Sequence, residues 1–225
     1  MPYSLTKDNI SFKINKSSPH THTLIFMHGL GDSPESFKNF FDSDFFSDNV
    51  NVKVILLRAP INPSTIGGGR FMNSWFDIKR FPILDENCYN YEDVKTMSKS
   101  IIEFIKEEAK LLNNDFSKIY LGGFSQGGCL SWEIGYCYEY NLGGILSFSG
   151  TLFKQSQILK GKENLKVFCG NGESDAKIPY FIVKETLKPV EKFPGFEIHI
   201  YKGLSHTISF DEIKNAKEFL KRIMK

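Results

Sequence analysis

Cysteine, histidine and net charge are all scarce in this chain. Its four cysteines, Cys88, Cys129, Cys137 and Cys169, include no C-x-x-C pair. No Cys–His spacing fits zinc, so the common zinc modules are excluded. Cys129 and Cys169 lie in apolar segments and are expected as small core residues. Lys and Arg total 28 against 26 Asp and Glu, a formal charge of +2. Phosphate binding needs a basic surplus, so a nucleic-acid partner is excluded. No apolar run approaches the roughly 18 residues of a spanning helix. The opening residues MPYSLTKDNI have neither the basic nor the apolar region of a secretory signal. Pro2 rules out N-myristoylation. Reduced thiols and a cytoplasmic location are therefore expected.

Phenylalanine, by contrast, is abundant, with 21 among 225 residues. In a near-neutral chain, that implies a large core or an apolar site. The length allows a sizeable core without disulfide staples. No linker rich in Gly, Pro or Ser divides the chain, and no internal repeat is visible.

Short apolar runs alternate with longer amphipathic ones. Strands are expected at 24–28, 52–58, 119–124, 144–149, 165–169 and 196–201, with an edge strand at 11–14. The first five are nearly continuous in apolar residues, as parallel strands buried on both faces should be. Helices are expected over 34–48, 92–112, 126–140, 179–192 and 209–224. The second carries the stripe Val94, Met97, Ile101, Phe104, Ile105, Ala109 and Leu112. The last opens with the capping box Ser209-Phe210-Asp211-Glu212. The alternation predicts an α/β fold, a mostly parallel sheet with helices on both faces. The long irregular stretch 59–91 reads as a lid or binding loop.

Gly123-Phe124-Ser125-Gln126-Gly127 matches G-x-S-x-G between an apolar strand and a helix. That context is the one in which a serine sits on a strained turn with its hydroxyl above the sheet. Bulky neighbours would clash there, hence the two glycines. The base and acid follow in the chain order Ser, Asp or Glu, His. His199 and His206 are the histidines after Ser125. His199 lies within the strand FEIHIY, and His206 lies in the loop beyond it, where a base reaches the serine. Asp175 is the one aspartate between Ser125 and His206, with Glu173 as its competitor in the same loop. The early strand runs into His28-Gly29-Leu30-Gly31. A backbone N–H of such a loop completes an oxyanion hole, and Leu30 is the candidate, paired with the Gln126 N–H. His28 precedes Ser125 and is expected to be structural.

HGLGD at 28–32, Ser74-Trp75-Phe76-Asp77, GGFSQGG at 122–128 and GLSH at 203–206 occur in this order. Together they resemble the acyl-protein thioesterase and carboxylesterase family of α/β-hydrolases. The resemblance covers roughly residues 20 to 220 and implies one α/β-hydrolase domain over 1–225, with a flap at about 61–91. It implies Ser125, Asp175 and His206 as a catalytic triad, with Leu30 and Gln126 as the oxyanion donors. It implies hydrolysis of acyl thioesters on lipidated cysteines and of carboxyl esters, with no metal or organic cofactor.

The substrate is expected to be an S-acylated protein or a small acyl ester. Transient membrane-surface contact and a homodimer are compatible with this reading. Ile66, Phe71, Met72, Trp75, Phe76 and Phe81 are the candidates to line an acyl channel. The alternative is that these residues only pack the flap. This chain departs from the family at Asn171-Gly172, where His-Gly is frequent. It also lacks an N-terminal cysteine for palmitoylation. Two other readings stand beside the first. One is a short-chain carboxylesterase or lysophospholipase without a protein substrate. The other is an inactive hydrolase fold that binds lipid or protein.

Overall fold

A computed structural model describes residues 9–13, 19–41, 45–46 and 50–224. Strands β1 (Ile10–Lys13), β2 (His22–Met27) and β3 (Val52–Leu57) come first. A separate hairpin follows, β4 (Ile61–Ser64) with β5 (Arg70–Asn73). Then come β6 (Ile119–Phe124), β7 (Gly144–Phe148), β8 (Val167–Gly172) and β9 (Phe196–Tyr201). Seven strands form one sheet in the order β1-β3-β2-β6-β7-β8-β9. Six of them run parallel, and β1 is an antiparallel edge. The parallel sheet expected from the apolar runs is present. Position 14 of the expected edge strand lies outside the described residues.

Side-chain alternation splits the core between the two faces of the sheet. On β2, Ile25 and Met27 join the cluster that also holds Val94, Ile101 and Leu130, whereas Leu24 and Phe26 join the opposite one. That opposite cluster gathers Phe26, Phe37, Phe41, Phe45, Phe148 and Phe168. Phe26 meets Phe37, Phe41 and Phe148 with ring centroids 4.8, 5.1 and 6.1 Å apart. Much of the phenylalanine surplus is therefore a ring-on-ring core.

Among the described residues, four α-helices pack on this sheet: α1 (Tyr91–Lys110), α2 (Gln126–Cys137), α3 (Tyr180–Thr186) and α4 (Phe210–Ile223). Asn90 caps α1 by accepting from the Glu92 N–H, and the expected stripe is buried except for the half-buried Phe104. The capping box at Ser209 and Glu212 is formed.

Three helices are shorter than the sequence pattern predicts. α3 stops at Thr186 because Pro189 has no N–H to donate and disfavours helical backbone at Lys188. α2 ends at Cys137, where Tyr138 turns extended. Over 34–48 the structure has a 3-10 turn, Pro34–Phe37, while 42–44 and 47–49 lie outside the described residues. Nor is 59–91 irregular throughout: it contains the β4–β5 hairpin and a bridge between Ile78 and Tyr89.

The chain leaves β2 for β3 on one side and later enters β6 on the other. The carboxyl ends of β2 and β6 thus flank a topological switch point, where open α/β sheets bind ligands.

Candidate active site

Ser125 occupies the turn between β6 and α2 with φ 55° and ψ −115°. This left-handed backbone costs on the order of 1–3 kcal/mol for a residue with a side chain. Its surroundings hold it there. The Ser125 N–H donates to Phe148 O at 2.9 Å, and its carbonyl accepts from the Cys129 N–H at 2.9 Å. A Cβ on Gly123 would lie 2.2 Å from the Gly127 carbonyl carbon, and one on Gly127 would lie 2.1 Å from Met27 O. Both glycines are therefore required by close backbone approach, not only by turn chemistry.

His206 and Asp175 arrive from loops after β9 and β8. His206 Nε2 lies 2.9 Å from Ser125 Oγ, and His206 Nδ1 lies 2.7 Å from Asp175 Oδ2. The other Asp175 oxygen accepts from the backbone N–H groups of Lys177 at 2.8 Å and Ile178 at 2.9 Å. Burial pushes the Asp175 carboxyl up. The hydrogen bond and charge of His206, with the two N–H groups, outweigh burial and hold it below its ordinary range. The carboxylate is thus ionised and faces Nδ1. In the neutral imidazole, an Nδ1–H donated to this carboxylate leaves Nε2 to accept from Ser125.

The competitors point elsewhere. Glu173 accepts from the Gly203 N–H at 3.2 Å and ties the two loops together. His199 stacks on Phe168 with centroids 5.0 Å apart. Asn171 is buried, and its Nδ2 donates to Gly172 O at 3.0 Å.

Around Leu30 the turn is fixed by His28. The Ala59 N–H donates to His28 Nε2 at 3.1 Å, so Nδ1 carries the proton and donates to Gly29 O at 2.7 Å. Burial lowers the His28 pKa and keeps the ring neutral. Its expected structural role is what these bonds describe. The Gly31 N–H donates to Asn73 O at 2.8 Å, which anchors the turn to the hairpin. Gln126 opens α2, so its N–H belongs to the helix's unpaired first turn. Its side chain was not singled out by sequence. It accepts from the Trp75 N–H at 3.1 Å and donates to Phe76 O at 2.6 Å.

Two clefts meet at Ser125. One is a narrow apolar slot of about 460 Å³ of empty space, open mouth included. Phe76, Phe81 and Ile83 of the flap form one wall, and Leu152, Phe153 and Ile182 face them. The other cleft, about 440 Å³, is lined by Gly29, Leu30, Asp32, Phe124, Lys177 and His206. Ser125 and Phe81 border both.

Of the six candidate channel residues, Phe76 and Phe81 line the slot, and four stand elsewhere. Trp75 is fully buried, and its indole N–H donates to His28 O at 2.8 Å. Phe71 is 72% exposed on the outer face of the hairpin, paired across from Pro63. Ile66 stands out at the hairpin tip, and Met72 leans on Gly31 and Gly67. Strand alternation and the tight hairpin turn these side chains away from the slot. The walls that sequence reading missed, Leu152, Phe153, Ile178 and Ile182, come from just beyond the carboxyl ends of β7 and β8. Position after a strand end was the available signal.

The family model for phospholipase/carboxylesterase matches residues 9–224. The chain belongs to that family. Acyl-protein thioesterase 1 of Debaryomyces hansenii is 30% identical to it over 223 residues, covering 93% of this chain and 94% of the relative. Acyl-protein thioesterase 1 homolog 1 of Dictyostelium discoideum is 31% identical over 211 residues, covering 91% and 92%. The crystal structure of Arabidopsis thaliana SOBER1 aligns with a TM-score of 0.78 at 27% identity, covering 91% of this chain and 99% of that one. With this family comes the α/β-hydrolase fold, and the protein is a hydrolase of the serine esterase type.

Proposed function

We propose that the protein hydrolyses acyl thioesters of S-acylated proteins, and carboxyl esters, through Ser125, His206 and Asp175. The observation that carries this reading is the Asp175–His206–Ser125 hydrogen-bond chain at the mouth of an apolar slot. His206 takes the Ser125 proton as Oγ attacks the acyl carbonyl. The developing oxyanion is met by the backbone N–H groups of Leu30 and Gln126. His206, now an imidazolium held by Asp175, gives its proton to the departing thiolate or alkoxide. The acyl chain stays esterified to Ser125. Water then attacks the acyl carbonyl as His206 removes its proton, and His206 returns that proton to Ser125 Oγ as the free acid leaves. The apolar slot takes the acyl chain, and the more polar cleft takes the leaving group.

Curated relatives over nearly the whole chain are named acyl-protein thioesterases, which supports the thioester assignment. Among the described residues no helix is long and apolar enough to cross a membrane, and all four cysteines are free. Free thiols fit a reducing, cytoplasmic setting with transient contact to the membranes that hold S-acylated substrates.

A fluorophosphonate probe tests the mechanism. It labels the wild type and leaves Ser125→Ala unlabelled; equal labelling of both removes Ser125 from its role.

A further inference from the structure

The apolar slot shares one wall with a groove on the outer surface. That groove runs along Ser156, Ile158, Glu185 and Pro189. Leu152, Phe153, Lys154 and Thr186 border both spaces. Two polar links close this partition. Thr186 Oγ1 donates to Ile182 O at 3.0 Å and so uses its only hydrogen, leaving it to accept from the Thr151 hydroxyl. Beside it, Lys154 Nζ lies 3.4 Å from Glu185 Oε1. Both links join the loop after β7 to the last turn of α3.

The two sides of the partition are unequally held. Tyr89 fixes the loop side, because its hydroxyl donates to Gln155 Oε1 at 2.7 Å and accepts from the Lys154 N–H at 3.2 Å. The α3 side is a seven-residue helix whose N-cap, Pro179, makes no side-chain cap bond. A helix that short has little stability of its own. The Lys154–Glu185 pair is half exposed and contributes little. Among the polar contacts the Thr151–Thr186 bond is thus the main fastening, added to the buried side chains of Ile182, Val183 and Leu187.

The partition also stands close to Ser125. Cys129 is one helical turn from Ser125, ~6 Å along the axis. The Thr151 N–H lies 3.4 Å from Cys129 Sγ, so the stop begins just beyond that turn.

We propose that the Thr151–Thr186 hydrogen bond is the end stop of the acyl slot and opens as a gate for long acyl chains. With the gate shut, the slot ends at Thr151 and Thr186. Longer chains break the bond, displace the end of α3 and pass into the outer groove. This rests on the reading of the slot as the acyl site.

The test is a series of p-nitrophenyl acyl esters from butanoyl to hexadecanoyl. Wild type, Thr186→Val, Thr186→Ser and Thr151→Val are compared by kcat/KM. Thr186→Val keeps the shape and removes the hydroxyl, and Thr151→Val breaks the same bond from the other side. Either valine variant raises the hexadecanoyl-to-hexanoyl ratio about tenfold, the scale of one hydrogen bond. Thr186→Ser keeps the wild-type ratio. An unchanged ratio in both valine variants overturns the gate while wild-type turnover upholds the hydrolase reading. A wild type that turns over no ester and takes no fluorophosphonate overturns that reading, and the gate with it.

Discussion

The side-chain oxygen of Gln126 accepts the backbone N–H of Trp75 at 3.1 Å, joining the residue after Ser125 to the flap. Removing this amide in Gln126→Ala leaves the Trp75 N–H buried without its partner, at about 1–3 kcal/mol. The backbone N–H of residue 126 remains. Turnover of a soluble ester should fall about 10- to 100-fold in kcat/KM, with Ser125 still labelled by the fluorophosphonate. Wild-type kinetics in the variant would mean that the flap holds its place without the clamp.

Asp175→Asn keeps the shape of the acid and removes its charge. With Nδ1 of His206 no longer held in one tautomer, kcat should fall about 10⁴-fold, as for other serine triads. Steady-state kinetics on an acyl ester provides the check. Glu173→Gln, at a carboxylate that accepts from the Gly203 N–H and not from His206, should change kcat less than about threefold.

Glu212 supplies a pH-dependent prediction. It is fully buried at the start of α4, and burial pushes its carboxyl up to about 8, opposed by the Ser209 N–H and reinforced by the Asp175 charge. The folded state therefore keeps a proton that the unfolded chain loses near the ordinary value of 4.5. Stability should fall as pH rises from about 4.5 to about 8 and be flat above. Glu212→Gln keeps the capping geometry and cannot ionise. Urea unfolding of both proteins across this window should show the variant gaining on the wild type as pH rises, by on the order of a few kcal/mol. Parallel stability curves would place Glu212 in its ordinary range.

The two flap phenylalanines should behave differently. Phe76 is 2% exposed and packs on Phe153 with centroids 5.3 Å apart, so Phe76→Ala should cost about 3–5 kcal/mol. Phe71 faces outward, and Phe71→Ser should stay within about 0.5 kcal/mol. Thermal unfolding separates them, and similar losses in both would mean that the outer face of the hairpin is packed in solution.

That Ser125, His206 and Asp175 would come together was legible because it depends on order and local chemistry. A glycine-flanked serine after a buried strand, an aspartate after the next but one, and a histidine past the last strand each announce themselves. The slot was not legible. Its walls are single residues from separate loops, and no periodicity links Phe76 to Leu152 or Ile182. Aromatic identity alone misdirected the reading at Trp75 and Phe71, because residue type does not say which way a side chain faces. Residues 188–189 show the reverse case: Pro189 was in plain sight, and the apolar spacing around it suggested a longer helix than its backbone permits.

Ser125 and Phe81 border both clefts, and among the described residues no other side chain does. On the function proposed above, the two halves of a cleaved molecule part into different compartments. An alkyl compound filling one and a polar head-like compound filling the other should bind together, meeting at Ser125 and Phe81. Inhibitors built on either half can be found separately and then joined across that shared border.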